Sequence, residues 1–275
     1  MGQFIQQIHK EYKEEILVPL TLIFNHSLET GEVPNSMKVS KLIPLFKSKD
    51  KSELGNYRPI SILPSLSKIL EKLIYKRLYN FMTNESLLHH SQYGFRRKHS
   101  TINAITEFYI QTVDSLDHNH SVISVFMDLS KAFDTIDHNI LLHKLEYYGI
   151  RGTSLKWFKS YLSNRQQIVS FKGIKSHTFS LCCGIPQGSI LGPLLFLVYI
   201  NDISSCLTHT KCILFADDTT VYASNTNIND LRNNINYDLI NLSEWFKSNK
   251  LSMNVAKTNN MGFKIDKWCP MYRYN

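Results

Sequence analysis

Two apolar stretches of this sequence each end on aspartate, and this feature constrains the fold more than any other. Residues Val122–Met127 lead directly into Asp128, and Cys212–Phe215 is followed after one alanine by Asp217 and Asp218. Short β-branched and apolar runs of this kind predict β-strands. Because the strand pattern resumes directly after Asp217 and Asp218, this pair is expected to lie in a tight hairpin turn.

If the turn adjoins the end of the first strand, three carboxylates converge. Carboxylates beside buried strands are costly to desolvate unless a cation or hydrogen bonds compensate. Hard oxygen ligands of this kind suit Mg²⁺. Two such ions, about 3.5–4 Å apart, can activate a 3′-hydroxyl and stabilise a leaving pyrophosphate. An ordinary aspartate-rich turn is the alternative for a lone Asp-Asp pair, so the rest of the chain has to decide.

Composition indicates a globular, nucleic-acid-binding class of protein. The 275 residues are 43% hydrophobic and 12% aromatic, which is typical of a folded domain with a sizeable core. Lysine and arginine exceed the acidic residues by 31 to 23, so the formal net charge is +8. This excess favours a polyanionic partner such as nucleic acid, although a basic protein without one is the alternative.

Other classes of site are disfavoured. The five cysteines include no C-x-x-C pair, which argues against a zinc site. Their odd number and the lack of a signal peptide predict a reducing compartment, cytoplasmic or nuclear. The longest apolar run, Ile190–Ile200, is interrupted by Gly192 and Pro193 and is too short to span a bilayer, so no membrane partner is expected.

Periodicity predicts the remaining elements. A helix is expected after Asp137, which we interpret, together with Asp134, as a helix-capping residue. Gly173 is expected in a hairpin turn. The other predicted helices are 12–27, 65–82, 101–116 and 231–246, and the other predicted strands are 39–47, 166–171 and 178–181.

Six segments, in order, resemble motifs of the reverse transcriptases of non-LTR (LINE-type) retrotransposons. The fingers motifs are matched by Asn56-Tyr-Arg-Pro-Ile-Ser61 and by Gln92-Tyr-Gly-Phe-Arg96 with Ser100-Thr101. The four palm motifs are matched by Phe126-Met-Asp-Leu-Ser-Lys-Ala-Phe-Asp134, by Gly184-Ile-Pro-Gln-Gly-Ser-Ile-Leu-Gly-Pro-Leu-Leu-Phe196, by Phe215-Ala-Asp-Asp-Thr-Thr-Val-Tyr222, and by Trp245 with Lys250-Leu-Ser-Met-Asn254 and Lys257-Thr258. The resemblance covers nearly the whole chain.

This resemblance implies an α+β right-hand polymerase fold with fingers and an antiparallel palm sheet. The fingers are expected in residues 1–120, mostly helical with an N-terminal helix. The palm is expected in residues 121–263, with part of 150–183 contributing to the fingers. Residues 264–275 do not resemble the family's continuation, so we expect a divergent tail and no thumb. No endonuclease-like region is recognised before the fingers.

The implied function is RNA-directed DNA polymerase activity by two-metal nucleotidyl transfer. The implied partners are an RNA template, a DNA or RNA primer and deoxynucleoside triphosphates. The implied cofactor is a pair of Mg²⁺ ions, for which Mn²⁺ is a possible substitute. Asp128, Asp217 and Asp218 are then the expected metal-site and catalytic carboxylates, with the backbone carbonyl of Leu129 as a further metal ligand.

The resemblance also implies roles around the nucleotide. Phe133 would lie under the sugar and exclude a 2′-hydroxyl, unless it is a core phenylalanine. Lys47 and Arg58 would contact the triphosphate, because clustered cations must offset its charge. Gln187 and Gly188 would allow close approach of the backbone to the base pair.

Lys257 is the expected general acid for the departing pyrophosphate, although an exposed lysine at a strand start is equally consistent with its position. Two alternatives for the chain as a whole stay open. A truncated, non-catalytic nucleic-acid-binding remnant of such an element is one. A metal-dependent phosphohydrolase is the other, but it leaves the Pro-Gln-Gly loop and the fingers motifs unexplained.

Overall fold

The computed structural model describes residues 13–264, and the chain divides into two compact units. The first unit combines residues up to 73 with residues 142–182, and the second combines residues 74–141 with those from 183 onward. This division does not coincide with the boundary at residue 120, so the assignment of fingers and palm stays a prediction. The expected divergent tail and the first residues of the expected N-terminal helix lie outside the described residues.

The first unit contains a four-stranded mixed sheet. Its strands are β1 (Val39–Phe46), β2 (Tyr57–Ile62), β4 (Arg165–Phe171) and β5 (Ile174–Leu181), in the order β2-β1-β4-β5. Strands β1 and β4 are parallel, and the other two pairs are antiparallel. The β4–β5 hairpin turns at Lys172 and Gly173, which both have positive φ, as a tight two-residue turn requires.

Helices α1 (Lys13–Thr30) and α5 (Gly152–Leu162) pack against each other in this unit. The indole Nε1 of Trp157 donates a hydrogen bond to Ser27 Oγ at 3.0 Å. Helix α5 was not predicted, although its buried Trp157, Phe158, Tyr161 and Leu162 recur at helical spacing. Helix α2 (Ser65–Asn84) follows β2 and ends two residues beyond its predicted end.

The second unit contains a four-stranded, fully antiparallel sheet. Its strands are β3 (Ser121–Met127), β6 (Lys211–Phe215), β7 (Asp218–Asn225) and β8 (Asn259–Phe263), in the order β6-β7-β3-β8. Strand β3 is central and buried at almost every position, which explains its uninterrupted apolar sequence. The antiparallel sheet predicted between residues 121 and 263 is therefore present.

This unit contains α3 (Thr101–Asp117), α6 (Gly192–Ile200) and α7 (Ile228–Ser248), together with the end of α2 and the start of α4 (His138–Tyr147). Both α3 and α7 contact β3. Helix α6 is buried from Leu194 to Ile200, so its apolar composition on all sides reflects burial inside the protein. No helix within residues 13–264 is long and apolar enough to cross a membrane.

Candidate active site

Asp217 lies in a hairpin turn, as predicted, and Asp218 is the first residue of the strand that follows it. Strands β6 and β7 pair up to Phe215 and Asp218, which leaves Ala216 and Asp217 as a two-residue turn. Ala216 has φ +56°, in the left-handed region that glycine usually occupies in such turns. Because alanine adopts this conformation only at a cost, the turn must be held in place by its surroundings.

The sheet register carries Asp128 to the same place. Met127 of β3 pairs with Thr219 of β7, so the next residues along the two strands are Asp128 and Asp218. Burial raises the pKa of Asp218 above its usual range, and the charges of Asp217 and Asp128 raise it further. The three carboxylates thus lie within electrostatic range of one another.

One basic side chain balances part of this negative charge. Lys257 Nζ lies 2.5 Å from Asp128 Oδ2, and Asn254 Nδ2 donates to the same oxygen at 3.3 Å. Lys257 also acts to lower the pKa of Asp218. The lysine belongs to a short 3-10 turn, Val255–Lys257, two residues before β8, and its role as a general acid stays a prediction.

Backbone pairing holds this lysine-bearing segment beside the end of β3. The Ser130 amide donates to Ser252 O, and the Asn254 amide donates to Asp128 O, both at 2.8 Å. Leu129 faces Met253 in this short antiparallel bridge. Because both hydrogen bonds involve the neighbours of Leu129, its own carbonyl takes no part in them and stays a candidate metal ligand.

The carboxylates suit a divalent cation chemically, but they are not gathered around one point. Within residues 13–264, no group of three or more His, Cys, Asp or Glu side chains is arranged to hold a metal ion. Burial, followed by the charges of Asp217 and Asp128, raises the pKa of Asp218, and a cation among these oxygens would offset both effects. Lys257 holds one oxygen of Asp128, Oδ2, that a cation would otherwise use.

Phe133 lies near this site and is packed on one side. Its half-buried ring stacks on the fully buried Phe196, with centroids 4.9 Å apart. The edge-on ring of Phe95, which is 44% exposed, lies 6.1 Å away. Phe133 therefore has a packing role, and its predicted role under the sugar remains compatible with its partial exposure.

The Pro-Gln-Gly loop is tied to the segment after β3. Gln187 Nε2 donates to Asp134 Oδ1 at 2.9 Å, and Gly188 adopts φ +113°. Burial raises the pKa of Asp134. The interpretation of Asp134 as a helix cap was wrong, because helix α4 begins only at His138 and the Asp134 carboxylate binds Gln187.

Asp137 caps helix α4, as predicted. Its Oδ1 accepts hydrogen bonds from the amides of Asn139 and Ile140 at 2.9 and 3.1 Å. Its Oδ2 pairs with Lys250 Nζ at 2.6 Å. The hydrogen bond from Lys250 is the main reason that the pKa of Asp137 lies below its usual value, and this outweighs burial.

The two predicted triphosphate ligands lie together in the first unit. Arg58 of β2 pairs with Leu45 of β1, and Lys47 follows Leu45 by two residues, on the same side of the strand. Both side chains are exposed. The β1–β2 hairpin therefore presents two cations on one surface.

The segment before helix α3 was assigned to the fingers by sequence, and in the structure it packs on the β6–β7 hairpin. Tyr93 and Ser91 exchange backbone hydrogen bonds with Leu214 of β6 at 2.8 and 2.9 Å. The buried Gln92 and Gly94 reach the turn itself. No sequence signal indicated this contact, because the two segments are more than 120 residues apart.

Comparison with known proteins decides the family. Residues 47–266 match the family described as "Reverse transcriptase (RNA-dependent DNA polymerase)". The chain belongs to the reverse transcriptase family. It is 30% identical to the probable RNA-directed DNA polymerase from transposon X-element and 32% identical to that from transposon BS, both of Drosophila melanogaster. These alignments cover 95% and 92% of the chain.

The predicted resemblance to non-LTR retrotransposon reverse transcriptases is thereby confirmed. The RNA-directed DNA polymerase from mobile element jockey of Drosophila melanogaster is likewise 30% identical over 91% of the chain. The chain spans only about 29% of the length of these relatives. Membership of the family implies a divalent metal cofactor, for which the three carboxylates supply suitable oxygen atoms.

Solved telomerase structures show the same fold. Apo telomerase from Candida tropicalis matches 90% of the chain and 49% of its own length with a TM-score of 0.62 at 12% identity. Telomerase from the same organism, in complex with a fragment of telomeric RNA, matches 84% of the chain and 42% of its own length with a TM-score of 0.60 at 14% identity. The right-hand polymerase fold, mixed α/β with an antiparallel sheet, agrees with the prediction.

Proposed function

We propose that this chain performs RNA-templated DNA synthesis by two-metal nucleotidyl transfer. The observation that carries the proposal is the register of β3, β7 and β6, which brings Asp128, Asp217 and Asp218 within electrostatic range of one another. If Asp217 and Asp218 only formed an ordinary turn, a third carboxylate, Asp128, would not be expected at the end of the neighbouring strand. The proposed partners are an RNA template, a DNA or RNA primer and deoxynucleoside triphosphates.

Asp128, Asp217 and Asp218, with the Leu129 carbonyl, are the groups that would hold two Mg²⁺ ions. When bound, such ions activate the primer 3′-hydroxyl and stabilise the charge on the leaving pyrophosphate. Lys257 would supply a positive charge beside Asp128, whose Oδ2 it contacts. In the reacting complex the same ammonium is our candidate proton donor to pyrophosphate.

The other residues act on the nucleotide. Lys47 and Arg58 of the β1–β2 hairpin would offset the triphosphate charge. Phe133 would stand against C2′ of the sugar and exclude a hydroxyl by bulk. The Asp134–Gln187 hydrogen bond fixes the loop whose Gly188 backbone would approach the new base pair.

Primer extension with a poly(A) template and an oligo(dT) primer tests this function. We expect incorporation of deoxythymidine that requires Mg²⁺ or Mn²⁺ and stops when the ions are chelated. Binding of the same template–primer should be measured in parallel, because the alternative is a non-catalytic nucleic-acid-binding remnant. Binding without incorporation, in the presence of either ion, would establish that alternative instead.

A further inference from the structure

We infer that the side chain of Gln92 is a positioning residue that holds the catalytic hairpin in its strained conformation. The inference rests on the proposed function, because the hairpin carries Asp217. Gln92 is 2% exposed, and its Oε1 accepts hydrogen bonds from the amides of Gly94 at 2.7 Å and Ala216 at 3.2 Å. A single carboxamide oxygen thus joins the segment before α3 to the turn residue that precedes Asp217.

The target of this hydrogen bond is the strained residue of the turn. Ala216 has φ +56°, and its amide has no role in the β6–β7 ladder, whose last pair is Phe215 and Asp218. A buried amide without an acceptor is costly, so the Gln92 oxygen removes that cost only when Ala216 keeps this conformation. The glutamine therefore favours the backbone geometry that directs the Asp217 side chain.

Gly94 makes the contact possible from the other side. A Cβ atom at position 94 would lie 2.1 Å from Ala216 N and 2.8 Å from Ala216 Cα, which no packing can accommodate. The two backbones therefore touch directly. Two flanking hydrogen bonds between Ser91, Tyr93 and Leu214 fix the approach, so that the hairpin rests on a rigid surface.

The glutamine is not explained by stability alone. Its Nε2 is buried and makes no hydrogen bond to any of the described residues. An unpaired buried donor costs free energy that an apolar side chain of the same shape would avoid. The hydrogen bonds that Oε1 accepts from Gly94 and Ala216 explain why a glutamine is present despite this cost. The carboxamide of Gln92 cannot be flipped, because Nε2 in the place of Oε1 would face two amide donors.

Gln92→Met removes the acceptor and keeps the length of the side chain. We expect kcat for nucleotide addition to fall about 100-fold, because a displacement of about 1 Å at a reacting group has this effect. The KM for the deoxynucleotide should change less than about twofold, since no nucleotide contact is removed. Gly94→Ala places a methyl group against Ala216 and should also lower kcat with little change in KM.

Two control variants separate positioning from general destabilisation. Gln111→Met alters a glutamine whose Oε1 accepts a hydrogen bond from the exposed Lys211, and it should leave kcat unchanged. Asp238→Asn removes hydrogen bonds to residues 208–210, at the opposite end of β6 from Ala216, so it should lower the melting temperature and leave kcat unchanged. A kcat for Gln92→Met equal to that of the parent would overturn the inference. A loss of kcat in Asp238→Asn as large as that in Gln92→Met would also overturn it.

Amide hydrogen exchange followed by NMR tests the hydrogen bond between Gln92 and Ala216 without an activity measurement. In Gln92→Met the Ala216 and Gly94 amides should exchange about tenfold faster, as expected for the loss of one hydrogen bond, while the Leu214 amide, bonded to Ser91 O, keeps its rate. An unchanged rate at Ala216 would refute the inference. If the parent chain incorporates no nucleotide, the proposed function fails on its own, and the exchange rates alone decide the role of Gln92.

Discussion

Substituting Phe133 by valine separates a sugar-selecting residue from a packing residue. The ring stacks on the fully buried Phe196 at 4.9 Å, so its loss leaves a gap under either interpretation. Full truncation of a buried phenylalanine costs about 3–5 kcal/mol. Because Phe133 is half-buried and valine retains part of its volume, we expect a loss of about 1–2 kcal/mol. A lowered melting temperature alone therefore decides nothing.

The deciding quantity is the ratio of kcat/KM for a ribonucleotide to that for the matching deoxynucleotide. Forcing an extra group into a packed space costs about 1–3 kcal/mol, so removing the clash should raise this ratio about 10- to 100-fold. Phe108→Val is the matched control, because Phe108 is also half-buried in an aromatic cluster, against Phe126 and Tyr222. A ratio that is unchanged in Phe133→Val, with equal melting losses in both variants, would refute the sugar-selecting role.

Two further predictions follow from charged contacts. Lys257→Ala should slow single-turnover incorporation by about 10- to 100-fold and leave the dissociation constant of the nucleotide nearly unchanged. The control is Lys250→Ala, which breaks the similar 2.6 Å pair with Asp137 and should not slow incorporation. Equal rates in the two variants would show that Lys257 has no role in the chemical step. Asp238→Asn should lower the free energy of unfolding by about 2–3 kcal/mol at neutral pH, because the buried carboxylate accepts hydrogen bonds from the amides of Thr208, His209 and Thr210. Burial alone would raise the pKa of Asp238, but these hydrogen bonds lower it below its usual value. The carboxylate therefore contributes its full stabilisation above about pH 4, and this stabilisation should be lost on acidification in the parent but not in the variant. The same dependence of the unfolding free energy on pH in both proteins would contradict the assignment.

Local patterns in the sequence were enough to predict the strands and turn that carry the carboxylates. The apolar run before Asp128 became the central strand β3, and the interruption at Asp217 became the turn between β6 and β7. Both features depend on neighbours within a few residues. Their meeting in space was predicted through the resemblance to a family, and the register of β3 on β7 accounts for it.

Other features depend on distant parts of the chain and could not be predicted. The contact of Gln92 with Ala216 joins residues 124 positions apart, and that of Lys257 with Asp128 joins residues 129 positions apart. Nothing in the local sequence of Asp134 distinguishes a helix cap from a partner for Gln187, since aspartate serves both roles. Strand β8, Asn-Asn-Met-Gly-Phe, lacks the β-branched run that predicts a strand, and it pairs with the edge of β3.

The central claim is that the three carboxylates at the end of β3 and at the β6–β7 turn form a metal-dependent polymerase centre. Asp217→Asn tests it most directly, because the amide keeps the size of the side chain and removes its charge. Asp230→Asn, at an exposed position in the first turn of α7, is the matched control. With Mg²⁺ and a poly(A) template, we predict that incorporation is abolished in Asp217→Asn and unchanged in Asp230→Asn, with equal melting temperatures. Incorporation by a folded Asp217→Asn variant at the parental rate would contradict the account.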